Sequence, residues 1–346
     1  MKKNKNVLNY VPLSEYPNKY SFSGIDLFKF LFVFCICAIH ISPFCESCFK
    51  YGATINFWFT KYICRLAVPF YFSVSGFFLF RKIDLNNVDK NIIKTYCFKT
   101  IRLLGVWTIL LIVGGRGHLW YLSSLVVSIL ILYYLLKKNV SLKKIVVISI
   151  VLYLLGLLGN SYAYLLEPLK KYAFLNFFIT SYKLFFNTTR NGLFFGLIFL
   201  LIGVLFTKKK ININLKWSFF GFCISMLLLM GEIYCLKHYL HLDAYDMYLF
   251  LVPAVFFLFS FAAQIKLPNK KLCKDLRIIG VLIYFIHLLS YYTFINFLNF
   301  TNYHFKNVRF VRPEYLYSVI LALLISIIIK KLSDKKKFRW LRYLYS

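Results

Sequence analysis

The sequence predicts an all-α, polytopic membrane protein of about ten transmembrane helices with both termini in the cytoplasm. Three observations carry that reading. Of the 346 residues 60% are hydrophobic and 21% aromatic, with a mean hydropathy of +0.67. Only 16% are charged, where a soluble domain carries about 25%. Lys and Arg nevertheless outnumber Asp and Glu by 43 to 12, a net charge of +31. Disorder is excluded by the apolar content, and a nucleic-acid binder would match the charge but not the hydropathy. Ten spans of about 20 residues use nearly the whole chain, so no sizeable soluble domain is expected.

Long apolar runs place helices at about 25–42, 62–80, 101–114, 118–136, 143–159, 191–207, 215–236, 247–265, 276–300 and 315–330. The runs are continuous rather than alternating, as helices that satisfy their own backbone in lipid require and barrel strands do not. This divides the chain into a basic segment 1–24, a transmembrane body 25–330 and a polybasic tail 331–346. The first segment, the even-numbered connections and the tail hold 30 of the 43 cations; the odd-numbered connections hold 12, and Lys29 lies within the first span. That alternation sets the cytoplasmic side. The first run is too long for a signal-peptide core and lacks a small-residue cleavage site, so it reads as an uncleaved first helix. The tail KKLSDKKKFRW reads as a membrane-surface contact.

Ionisable residues within spans are costly and therefore candidates for function. The first helix, IDLFKFLFVFCICAIH, carries Asp26, Lys29 and His40. Eleven residues separate Lys29 from His40, nearly three whole turns, so the two share a face about 16 Å apart and look into one interior channel. Against this stand plainer readings: Lys29 snorkelling to the inner interface, and His40 bonded to a neighbouring helix. The second helix, RLAVPFYFSVSGFFLF, has Arg65 at its outer end, Pro69 to kink it, and Ser75 with Gly76 for close packing. GRGHLWYLSSL follows with Arg116, His118, Trp120 and Tyr121, and TRNGLFFG brings Arg190 and Asn191. Arg65, Arg116 and Arg190 together would form an external clamp for an anion or carboxylate, since Arg presents a planar fork of donors. Each alone equally fits a solvated loop-end charge. Glu232 near the outer end of the seventh helix and His287 in IYFIHLLSYY complete the set, while Asp243 and Asp246 read as solvated. Cys45 and Cys48 form one CxxC, a local disulfide or two thiols; without a second pair of ligands no metal site is expected. No P-loop, HExxH or GxSxG motif occurs.

These segments resemble the integral-membrane acyltransferase family 3. Its first helix carries Arg, ten residues, then His, matched here by Lys29 and His40. Its second carries an Arg before a proline-aromatic run ending in Ser-Gly, matched by Arg65 through PFYFSVSG. Its HLW-aromatic-Leu segment appears as HLWYLSSL, and its late Tyr-x-x-His as IYFIH, ending in His287. The resemblance runs in order from about residue 20 to 330. A narrower similarity is to the membrane domain attached to vancomycin-resistance serine racemases, which is thought to handle serine uptake. The chain ends at Ser346, soon after the last span, and racemization is not expected of it. Lys29 stands where the family has Arg, and Ser123 where many members have Pro.

The resemblance implies transfer of an acyl group, such as acetyl from acetyl-CoA, to a hydroxyl of a cell-envelope polysaccharide or lipid-linked glycan. His40 would be the general base and Lys29 would neutralise the donor. Arg65, His118 or His287 would hold the acceptor or the oxyanion, His287 counting with His40 and Lys29 as catalytic, and the residues themselves add Arg116, Trp120, Arg190, Asn191 and Glu232 to the expected substrate-binding set. Acyl-CoA enters as co-substrate, with no bound cofactor and no nucleic-acid partner. A transporter for a small, serine-like amino acid is the alternative, with the outer arginines on its carboxylate and His40 or Glu232 coupling protons.

Overall fold

A computed structural model describes residues 13, 22–45, 50–111, 117–186, 188–209, 211, 213–239, 246–268, 270–301 and 311–346, and every regular element among them is helical. Helix α1 spans Ser23–Ile41. The second helical stretch is longer than the apolar run implies. It comprises α2 (Gly52–Trp58), π-helical Phe59–Ile63, a 3-10 turn Cys64–Leu66 and α3 (Ala67–Phe80). Polar Asn56, Thr60 and Lys61 dilute its hydropathy, but the Thr60 hydroxyl donates back to the Asn56 carbonyl at 2.7 Å and is satisfied within the helix. Pro69 enters two residues into α3, where its missing N–H faces a stretch whose bonding pattern has already switched upstream.

Helix α4 (Lys90–Leu110) begins well before the expected residue 101 because Asp89 caps it, accepting from the Asn91 amide at 2.7 Å. Its first turns carry Lys90, Lys94 and Lys99, which hide the start from a hydropathy reading. A 3-10 turn (Gly117–Leu119) leads into α5 (Trp120–Lys137), followed by α6 (Leu142–Leu158). The connection after α6 holds two unexpected elements, a 3-10 segment Ala163–Lys171 and α7 (Ala173–Phe186). Next come π-helical Gly192–Gly196 running into α8 (Leu197–Lys208), then α9 (Leu215–Tyr239), α10 (Leu251–Gln264), α11 (Lys270–Thr301) and α12 (Pro313–Ser333). The tail forms a 3-10 segment, Lys336–Leu344.

Each of the ten expected stretches is helical at its centre. Among the described residues, six helical stretches suffice by length and composition to cross a membrane, or seven if α6 and the segment after it, bent by 70°, count as one. Apolar helices of this length support a helical membrane protein.

Two crossings fix the frame of the site. At α3 against α8, Gly76 lies on the Leu200 carbonyl and Gly203 on the Ser73 carbonyl, so a methyl on either would fall inside the facing backbone. The Ser73 hydroxyl bridges the same crossing, donating to the Phe199 carbonyl at 2.9 Å. At α1 against α11, Gly280 faces Phe30 with room to spare, since an added Cβ would be in ordinary contact at 3.5 Å.

Candidate active site

Three histidines from distant parts of the chain meet. His40 ends α1, His118 lies in the turn before α5, and His287 is in mid-α11. Ring centroids are 6.0 Å apart for His40–His118, 5.5 Å for His40–His287 and 5.1 Å for His118–His287. His118 and His287 are 1% and 0% exposed, whereas His40 keeps an exposed edge. Helical spacing explains the convergence. On α11, Gly280, Tyr284 and His287 follow at i, i+4 and i+7 on one face. The Tyr284 hydroxyl donates to the His118 carbonyl at 2.7 Å and so ties the α5 entry to α11.

The tautomer of His287 follows from its partners. Nδ1 lies 2.8 Å from the Tyr284 carbonyl and 3.2 Å from that of Ile283. Carbonyl oxygens only accept, so Nδ1 carries the proton. Nε2 is left with its lone pair, buried, and without a hydrogen-bond partner among the described residues. That nitrogen is a base in a dry, fixed ring.

At the C-terminal end of α1, on the side expected from the charge alternation to be outer and called so below, His40 borders a cavity of about 40 Å³, with Cys64, Arg65, Pro69, Trp120, Arg190 and Asp246 in its wall. Asp246 bridges two arginines: Oδ1 pairs with Arg65 Nη1, and Oδ2 lies 3.1 Å from Arg190 Nη1. Arg190 also lies over the Trp120 ring, 4.7 Å from its centroid. Each arginine stands next to a π-helical segment, Arg65 just after Phe59–Ile63 and Arg190 just before Gly192–Gly196. Such local widening re-aims side chains from a helix and is frequent at functional sites. Burial pushes the Asp246 carboxyl up, but Arg65, Arg190 and Lys61 together outweigh it and hold the group below its ordinary value.

Lys29 lies elsewhere, in an inner cavity of about 170 Å³ walled by Tyr71, Ser75, Tyr96, Tyr121, Tyr284 and Tyr345, among others. The Tyr71 hydroxyl donates to the Lys29 carbonyl at 2.5 Å, and the ammonium lies 5.8 Å from the Tyr71 ring centre. Ser75 and Tyr121 share a hydrogen bond of 3.1 Å. Lys29 and His40 therefore face two separate cavities rather than one channel. Both cavities are lined by Ile36 and Val68, so they lie on either side of that pair. Tyr345 belongs to the inner wall because the tail folds back: Trp107 Nε1 donates to the Leu344 carbonyl at 2.9 Å.

Two other expected residues are engaged in structure. The Glu232 carboxylate, 8% exposed, accepts from the Tyr162 hydroxyl at 2.6 Å, the Leu249 amide at 2.6 Å and the Phe250 amide at 2.9 Å. It thereby caps the start of α10, and it lines neither cavity. Asn191 Oδ1 caps the π-helical segment, accepting from the Leu193 and Phe194 amides at 3.0 and 3.1 Å. Arg116, Cys48 and Asp243 lie outside the described residues. Sequence reasoning missed Asp246, taken as solvated, and it noted Tyr284 in the Tyr-x-x-His segment without giving it a role. The signal for Asp246 was scarcity: with 12 acidic residues against 43 basic ones, any acid beside outer arginines has a strong reason to be paired.

In sequence the chain is similar to an amino-acid racemase of Enterococcus faecalis, 33% identical over 268 residues, covering 69% of this chain and 35% of that protein. It is also similar to a serine/alanine racemase of Enterococcus gallinarum, 31% identical over 268 residues, with 68% and 36% covered. A further E. faecalis amino-acid racemase is 28% identical over 302 residues, with 78% and 41% covered. No family model matches the chain, and no solved structure does. None of these three relatives carries an acyltransferase name. About two thirds of the chain is thus similar to proteins named racemases, and the matched part spans about a third of the length of the first two.

Proposed function

We propose that the protein is a multi-pass cell-membrane O-acyltransferase with ten crossings and both termini on the basic, cytoplasmic side. It moves an acyl group, acetyl in the simplest case, from acyl-CoA to a hydroxyl of a cell-envelope glycan or similar acceptor. The observation that carries this reading is the meeting of His40, His118 and His287 beside the outer cavity, with Tyr284, one turn from His287, reaching the wall of the inner one. One cavity offers the acceptor side and the other the donor side of a transfer across the membrane, and the thioester arm must pass Ile36 and Val68, which line both.

In this scheme the acceptor oxygen attacks the thioester carbonyl while its proton passes to His40. The new C–O bond forms as the C–S bond breaks, and the thiolate leaves with the proton returned by the imidazolium. Such a positioned base contributes about 10²–10⁴-fold. The locked His287 ring holds a second lone pair next to His40, and buried His118 packs against both rings. Lys29 in the inner cavity neutralises the donor, and the basic cytoplasmic connections attract the phosphates of CoA.

The test uses the full chain in liposomes. Acetyl-CoA with envelope glycan is expected to release free thiol, and His40→Ala to abolish the release. Serine uptake that needs no acyl-CoA, without thiol release, would overturn the reading. A second reading, carriage of a small amino acid, is favoured by the similarity to proteins named for amino-acid racemization. The outer cavity supports it by offering both signs of charge to a zwitterion. Uptake is its direct readout.

A further inference from the structure

We propose that the outer cavity is an anion site in which Asp246 is an internal occupant, and that the protein's ligand carries a carboxylate or phosphate that competes with Asp246 for Arg65 and Arg190. The proposal rests on the acyl-transfer reading only in calling that ligand the acceptor.

Two arginines compete for one acid at this cavity among the described residues. Arg65 and Arg190 share one carboxylate, and Lys61, one turn before Arg65, acts on the same group. Among the described residues, two guanidinium groups thus divide a single carboxylate between them. Arg65 is 8% exposed, and its Nε is buried with no hydrogen-bond partner among the described residues. A guanidinium offers five donors in a fixed fork, so a buried Arg65 with an idle N–H at a cavity wall lacks an acceptor oxygen. Leaving a buried donor of a charged group unmade is expensive, and an anion entering the cavity would relieve it.

Size and access restrict the ligand. The cavity, about 40 Å³, admits one small group but not a sugar ring, so the charged group enters alone. Access runs past Arg190, whose side chain is 32% exposed, and Asp246, 21% exposed. His40 borders the same space, so the favoured ligand carries a hydroxyl close to its anionic group. Asp246 already holds the two arginines at the spread a carboxylate needs. A ligand anion therefore meets a preformed fork and a resident rival.

The experiment is a titration of the full chain in nanodiscs, read by the fluorescence of Trp120 beneath Arg190. The probes are glycolate, glycerol phosphate and uncharged ethylene glycol. Saturable change with glycolate or glycerol phosphate and none with ethylene glycol is expected, and the better of the two names carboxylate or phosphate. Asp246→Asn, which keeps the shape and removes the rival charge, is expected to tighten binding at least tenfold. Arg65→Gln is expected to abolish it, with Arg190→Gln as the less buried second variant; Trp120→Phe should silence the signal. Equal response to ethylene glycol, no response to either anion, or weaker binding in Asp246→Asn would overturn the proposal. Thiol release is measured without these probes, so failure here leaves acyl transfer standing, and anion binding survives a failure of acyl transfer.

Discussion

Glu232→Gln is predicted to destabilise the protein without acting on ligand binding directly. The wild-type carboxylate accepts three hydrogen bonds, from the Tyr162 hydroxyl, the Leu249 amide and the Phe250 amide. A glutamine retains one carbonyl oxygen, which can keep Tyr162 and Leu249, but its NH2 then faces the Phe250 amide, donor to donor. A hydrogen bond to a charged group is worth about 1.5–3 kcal/mol, against about 0.5–1.5 for a neutral one. One charged bond is lost outright and two fall to neutral strength. The start of α10 also loses a negative charge worth about 0.3–1 kcal/mol. Partial relaxation of the Phe250 amide offsets some of this, leaving about 2–4 kcal/mol. The assay is unfolding of the detergent-solubilised full chain, followed by tryptophan emission, alongside the thiol-release rate. A clearly lowered midpoint with wild-type rate at low temperature is expected. A variant with an unchanged midpoint and no activity would refute the reasoning and give Glu232 a part in the chemistry.

Gly203→Ala sets a methyl against the Ser73 carbonyl at the α3–α8 crossing. Overpacking of this kind costs about 1–3 kcal/mol, so the unfolding midpoint should drop, whereas Gly105→Ala, inside α4 with nothing near its added Cβ, should leave it unchanged or raise it slightly, a gain of at most about 0.5–1 kcal/mol. Acid should weaken the outer ion pair. The folded Asp246 carboxyl sits below its ordinary value, so its contribution is fully present above about pH 4 and is lost as pH falls through the lowered value. Asp246→Asn should remove that part of the acid-side fall in midpoint while leaving the rest.

The spanning runs were legible because a helix in lipid needs an apolar length and little else. Where polar residues sit inside a helix, as at Asn56–Lys61, or cations crowd its first turns, as at Lys90–Lys99, the boundary was lost. The start of α4 was set instead by the Asp89 cap. His40, Arg65, Arg190 and His287 stood out as polar groups out of place, and the fold brings them around one outer site. The partition of Lys29 into a separate cavity was not legible. Eleven residues of helix fix a shared face but not what Ile36 and Val68 do between its ends. Glu232 looked functional for the same reason as His40; only the positions of Leu249 and Phe250, set by the chain's return into α10, distinguish a cap from a ligand.

The central claim is that the histidines act as a unit in acyl transfer, and a double-mutant comparison tests it most directly. Thiol release from acetyl-CoA is measured for His40→Ala, His287→Ala and the double variant in liposomes. Groups that act together are non-additive, so either single change should cost nearly as much as both. A double variant whose loss is the product of two modest single losses, or a His40→Ala protein with wild-type thiol release, would contradict the account.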